Sequence, residues 1–161
     1  MDNPYCLDDY EQKADVHYSV PIQKSIRSLV VPPRVVGFAA EFRRGTYVQE
    51  RFELPEGLES IGRISVDEHC VFANCDLPEV ILPASLREIG TFAFGNCRIG
   101  TLKIPATLRS PYARQFKDSY VETLLLPKEW KDKWEGRAFR HEDGFGFMMW
   151  PSTSVGHVEY Y

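Results

Sequence analysis

The chain has 161 residues, 43% of them hydrophobic, and carries a formal net charge of −4 at pH 7. That length supports one domain with a sizeable core, and the acidic balance leaves no basic patch that would indicate nucleic acid as a partner. No apolar run approaches the roughly 20 residues needed to span a bilayer, so a membrane partner is not expected either.

The first residues lack the basic and apolar segments of a secretory signal, which predicts a cytoplasmic protein. If the native start has been trimmed, a bacterial surface or secreted protein remains the alternative. Residues 1–25 hold five acidic and two basic side chains and lack the periodicity that follows. We interpret them as an acidic N-terminal cap segment over the first repeating unit.

An apolar residue followed by proline then recurs six times at intervals of 22 to 28 residues, in the pairs Val31-Pro32, Leu54-Pro55, Leu82-Pro83, Ile104-Pro105, Leu126-Pro127 and Trp150-Pro151. The residue three positions before each proline is also apolar, namely Leu29, Phe52, Val80, Leu102, Leu124 and Met148. This alternation predicts six short strands with one face turned inward, each ended by its proline. Six positions before the prolines the residues are again apolar, except for Gln49.

A second signature lies between the predicted strands. It consists of Ile-Gly at 61–62 and 89–90, followed by Phe72, Phe94 and Phe116, each eleven residues before the next proline. The position eight before each proline holds Cys75, Cys97 and Ser119, with Tyr47 and Asp143 in the same register. The pattern predicts irregular or short helical returns whose apolar residues are buried when successive coils stack.

The sequence ILPASLREIGTFAFGNCRIGTLKIP at 81–105 resembles the BspA-type leucine-rich repeat. The resemblance covers residues 26–155 in about six units, with 134–139 as a degenerate sixth turn, and it leaves 156–161 as the C-terminal end of a cap. It implies a leucine-rich-repeat solenoid, coiled in a right-handed sense, with short parallel β-strands on one side and irregular or short helical returns on the other. It also implies binding as the usual work of the family, without catalytic residues.

Acid, base and thiol side chains cluster only around Asp67, Glu68, His69 and Cys70, near Cys75 and Cys97. Cys75 and Cys97 are one repeat apart, which is the interval of a stacked core and not the close pairing of a structural zinc site. We therefore expect packed free thiols, no metal, no cofactor and no catalytic site. A Cys/His-dependent enzyme or a metal-binding protein is the alternative that this cluster leaves open.

Within the strands, residues two and four positions before each proline point away from the core, because side chains alternate along a strand. They predict a non-enzymatic protein-protein recognition module whose partner-binding residues are Val30, Arg51, Glu53, Glu79, Ile81, Thr101, Lys103 and Leu125. An inserted segment carrying Asp67, Glu68 and His69 is the alternative partner-binding site. The partner is an unidentified protein, and both a homo-oligomer and a structural or assembly role stay open.

Overall fold

The computed structural model describes residues 25–38, 46–62, 71–90, 92–108, 115–132 and 153–161. Within these ranges a short 3-10 helix, Lys128–Trp130, accompanies nine strands. In chain order the strands are β1 (Ser25–Val30), β2 (Gly37–Phe38), β3 (Tyr47–Glu53), β4 (Ser60–Ile61), β5 (Asp76–Ile81), β6 (Glu88–Ile89), β7 (Arg98–Lys103), β8 (Tyr120–Leu126) and β9 (Ser154–Tyr160). Residues 1–25 are predicted to be an N-terminal cap, and of these only Ser25 lies within the described residues.

The longer strands form one six-stranded sheet in the order β1-β3-β5-β7-β8-β9, and every neighbouring pair is parallel. Parallel neighbours require the chain to cross back between strands. The crossings carry a second, three-stranded parallel sheet in the order β2-β4-β6. The first three returns are therefore more regular than the sequence predicts, because Phe38, Ile61 and Ile89 and the residue before each of them pair with the neighbouring coil.

The core lies between the two sheets. The apolar residues one and three positions before the prolines that end β1, β5, β7 and β8 are all buried. Phe72, Phe94 and Phe116 stack in register, with ring centroids 5.3 and 5.2 Å apart. Phe38 and Phe52 each contact Phe72, the first ring of this stack, in an edge-to-face arrangement. Each coil thus buries apolar surface against the next, and stacking supplies the core that no single coil could form.

Strand β3 contains one residue more than its neighbours. The register of β1 with β3 runs from Ile26 opposite Val48 to Ser28 opposite Arg51, so an extra residue bulges from β3. Val48, which is 1% exposed, therefore takes the inward position that the sequence pattern gave to Gln49. The same shift makes the assignment of Tyr47 to the small-residue position wrong, because buried Thr46 lies there instead.

The sixth strand of the sheet also differs from the prediction. The alternation before Pro151 predicts a strand that ends there, but the strand paired with β8 is β9. Val155 lies opposite Val121 and Val158 opposite Leu124, so β9 repeats the inward spacing without a proline to end it. Residues 133–152, with the predicted degenerate turn at 134–139, lie outside the described part of the chain.

Candidate partner-binding face

The surface of the six-stranded sheet that points away from the core is here called the outward face. Its side chains form four rows across the strands, and one of these, five positions before the prolines that end β1, β3, β5, β7 and β8, holds Arg27, Glu50, Pro78, Gly100 and Glu122. The opening row, at the start of the strands, consists of Ser25, Tyr47, Asp76, Arg98, Tyr120 and Ser154. The middle row consists of Ser28, Arg51, Glu79, Thr101, Thr123 and His157, and the closing row of Val30, Glu53, Ile81, Lys103, Leu125 and Glu159.

All the residues predicted to bind a partner from the strands lie in the middle and closing rows. Val30 and Ile81 are 39% and 37% exposed. The charged residues Arg51, Glu53 and Glu79 are exposed, whereas Thr101, Lys103 and Leu125 are half-buried. The residues of the alternative site, Asp67, Glu68 and His69, lie outside the described residues, so that site stays a prediction.

The large exposed hydrophobic side chains of the described residues are concentrated on this side of the molecule. They are Val30, Tyr47, Ile81, Tyr120 and Tyr161. The first four lie on the outward face, and Tyr161 directly follows β9. Single exposed apolar residues scattered over a surface need no explanation, but a group of them on one face marks an interaction surface.

The opening row is the part of the face that the sequence pattern missed. Asp76, Arg98 and Tyr120 each stand seven positions before a proline and immediately precede the first inward residue of their strand. The sequence pattern assigns only the positions two and four residues before each proline to the outward face, so it does not include these residues. Tyr47 stands one position further away because of the bulge in β3. The apolar residue six positions before most of the prolines is the signal that would have found this row, because the side chain next to an inward residue on a strand points outward.

Contacts between oppositely charged or hydrogen-bonding side chains lie at the two ends of the face. On β1 and β3, Arg27 Nε lies 2.7 Å from Glu50 Oε2, and Arg51 donates a hydrogen bond to Glu53. On β9, His157 Nε2 lies 3.4 Å from Glu159 Oε1. These exposed pairs contribute little to stability. Among the described residues they leave Asp76, Glu79 and Arg98 at the centre of the face without an ion pair, and Glu122 on β8 as well.

At the centre of the face, two acids on β5 lie beside two bases on β7. Asp76 and Arg98 are partners in the sheet register, yet no ion pair joins them among the described residues. The Arg98 guanidinium instead lies 5.8 Å from the centroid of the Tyr120 ring. Both charges of this pair therefore face solvent.

Tyr161 contacts residues at the other end of the central strands. Its hydroxyl donates a hydrogen bond of 2.8 Å to the carbonyl of Ile104, so the side chain reaches from the end of β9 across β8. Lys103 Nζ lies 4.2 Å from the centroid of the same ring, a distance typical of a cation–π interaction. Burial raises the pKa of the Tyr161 hydroxyl above its ordinary value, so it remains a donor at neutral pH.

The small-residue position at the corner before each strand explains the two buried cysteines. Cys97 Sγ lies 3.0 Å from the Phe72 carbonyl oxygen. One coil later, the Ser119 hydroxyl donates to the Phe94 carbonyl at 2.7 Å and accepts the amide of Cys97 at 2.9 Å. The corner side chains of Cys97 and Ser119 therefore each bond the preceding coil, and the one-repeat interval between Cys75 and Cys97 reflects the stacking of coils.

The prediction of packed thiols is confirmed for Cys75 and Cys97, which are buried and take part in no disulfide. Burial raises the pKa of the Cys97 thiol far above its ordinary value, and a buried neutral thiol is a poor nucleophile. Among the described residues, no group of three or more His, Cys, Asp or Glu side chains is arranged to hold a metal ion. The same part of the chain has no helix of the length and apolarity needed to cross a membrane.

A family model for the BspA type leucine rich repeat region matches residues 40–142 in six copies. The chain belongs to this family. The fold predicted from the sequence, a leucine-rich-repeat solenoid with short parallel strands, is thereby confirmed. BspA-type repeats build protein-interaction modules and are generally not enzymes. Comparisons with curated proteins and with solved structures give no match.

Proposed function

We propose that this BspA-type solenoid is a non-enzymatic recognition module that binds a protein partner through its outward face. One observation carries the proposal: the large exposed hydrophobic side chains of the described residues lie on that face or at its edge. Tyr47 and Tyr120 are anchors of the kind that dominate protein interfaces, Val30 and Ile81 add exposed apolar surface beside them, and the charged side chains between them supply a polar surround.

The dimensions of the face suit a modest interface. Six strands about 4.8 Å apart, with about six residues each at about 3.3 Å, give a surface of roughly 24 by 20 Å. That is below the approximately 800 Å² per partner of a standard interface. A tight complex through this face would therefore depend on a few well-buried anchors.

The proposal is tested by affinity capture with matched variants. We expect wild-type protein to retain a specific partner from a lysate of the source organism, identified by mass spectrometry, and Ile81→Asp to lose it. Ala106→Asp is the control, because Ala106 is also exposed and apolar but lies on a turn after Pro105, outside the outward face. Binding of the purified partner to Ile81→Asp should be weaker by about thirtyfold or more, the loss expected of an interface anchor.

Thermal unfolding of both variants separates lost binding from lost folding, and we expect the two to unfold near the wild-type temperature because both positions are exposed. If Ile81→Asp binds as tightly as the Ala106→Asp control, the outward face is not the binding surface. A site at Asp67, Glu68 and His69 would then be the stronger hypothesis.

A further inference from the structure

The opening row of the outward face has the same residue types at matching distances from its two ends, except at its centre, where an acid corresponds to a base. From β1 to β9 its residues are Ser25, Tyr47, Asp76, Arg98, Tyr120 and Ser154. All six are exposed. Serine corresponds to serine and tyrosine to tyrosine about the midpoint between β5 and β7, where an acid faces a base. A surface with this symmetry is complementary to itself.

We propose that the partner bound by the outward face is a second copy of this chain, related by a two-fold axis parallel to the strands and midway between β5 and β7. The inference rests on the proposed function, because it uses the same face. Such an axis makes an isologous interface, in which each contact occurs twice. It lays β5 of one copy over β7 of the other, β3 over β8 and β1 over β9.

In the opening row, this arrangement brings Asp76 of each copy opposite Arg98 of the other. The two charges are close to the axis, and neither is held in an ion pair among the described residues of its own copy. Tyr47 comes opposite Tyr120 of the second copy, where two exposed rings can stack in the offset or edge-on arrangements that aromatic pairs prefer. Charge complementarity and aromatic burial therefore act in the same row.

The middle and closing rows are compatible with the same axis. In the middle row, Arg51 comes opposite Thr123 and Glu79 opposite Thr101, and hydroxyl groups can hydrogen-bond to either charge. In the closing row, Ile81 comes opposite Lys103, whose aliphatic stem can cover it. In the opening, middle and closing rows no acid faces an acid and no base faces a base, and like charges opposed across an interface are what most strongly prevent association. Glu50 and Glu122 in the remaining row do come opposite one another, but Glu50 is already paired with Arg27 of its own copy.

The proposed dimer is weak, because the face is smaller than a standard interface. We therefore expect sedimentation equilibrium of the full chain to show a monomer–dimer equilibrium that depends on concentration. Exchanging the central charges tests the axis. Asp76→Arg alone and Arg98→Asp alone each place like charges opposite one another, so each variant should dimerise about tenfold less tightly or worse.

An equimolar mixture of the two single variants should recover dimers, because the introduced arginine of one then faces the introduced aspartate of the other. The double variant Asp76→Arg/Arg98→Asp should recover dimers on its own for the same reason. Circular dichroism of each variant checks folding, which these exposed substitutions should not impair. Failure of both the mixture and the double variant to recover dimers would overturn the two-fold arrangement.

Dityrosine cross-linking gives a second measurement on the unaltered protein. Tyr47 and Tyr120 of one copy are three strand spacings apart, about 14 Å, so a bond between them forms only between copies. We expect light-driven oxidation of concentrated protein to form a covalent dityrosine link between Tyr47 of one copy and Tyr120 of the other. If the chain stays monomeric at all accessible concentrations, this inference is overturned. The proposed function is then tested separately, by whether Ile81→Asp loses the partner that the wild-type protein captures.

Discussion

The corner residues show how single side chains link one coil to the next. Cys97, Ser119 and Thr153 each approach the backbone carbonyl of the phenylalanine in the preceding coil, at 3.0, 2.7 and 2.6 Å. Either a thiol or a hydroxyl can donate a hydrogen bond to this carbonyl. The position therefore accepts small residues with one donor, which is why the sequence varies there while the fold repeats.

Removing the Ser119 hydroxyl should cost more than exchanging the donor at Cys97. Ser119→Ala leaves the buried amide of Cys97 and the carbonyl of Phe94 without their partner, and we expect a loss of about 1–3 kcal/mol in the free energy of unfolding. Cys97→Ser keeps a donor for the Phe72 carbonyl, so its cost should be below about 1 kcal/mol. Urea unfolding of both variants measures the difference, and equal losses would contradict the proposed role of the hydrogen bonds.

The buried thiols should also resist chemical modification. Burial is the main cause that raises the pKa of Cys97, so this thiol stays protonated at pH 8 and does not react. We expect peptide mapping after iodoacetamide treatment to find Cys75 and Cys97 unmodified in native protein and fully modified in urea. Rapid alkylation of Cys97 in the native protein would instead favour the Cys-dependent enzyme that the sequence left open.

At the scale of the strands, the positions of β1, β5, β7 and β8 could be predicted because proline and alternating apolar residues are local signals. The bulge in β3 could not, since Val48 and Gln49 compete for one inward position and only pairing with β1 decides between them. The three-stranded sheet of the returns also escapes prediction, because strands of two residues carry no periodicity.

The close approach of β5 and β7 requires a glycine at position 100. A Cβ atom there would lie 2.4 Å from the carbonyl oxygen of Pro78, a backbone atom that cannot move independently. We expect Gly100→Ala to lower the free energy of unfolding by about 1–3 kcal/mol. Gly57→Ala is the control, because its Cβ would meet only the Pro33 carbonyl oxygen at an ordinary 3.7 Å. Equal stability of the two variants in urea would mean that β5 and β7 are further apart than described.

At the scale of the whole molecule, stacked coils place one face of every strand on the core and the other on a continuous outward face. The sequence could predict the middle and closing rows of that face from the alternation around Val80, Leu102 and Leu124. It could not reveal the grouping of exposed tyrosines, because Tyr47 and Tyr120 are 73 positions apart and meet in one row only through the register of the sheet. The symmetry of the opening row depends on the same register.

The most direct test of the binding face is hydroxyl-radical footprinting of the chain, free at low concentration and in a saturated complex with its captured partner or with itself. Our account predicts that oxidation of Tyr47 and Tyr120 slows markedly in the complex, because both rings are exposed in the free chain and covered when the outward face is occupied. The buried Trp130 serves as the internal reference, since its low exposure should not change. Unchanged oxidation of both tyrosines in a saturated complex would contradict the account.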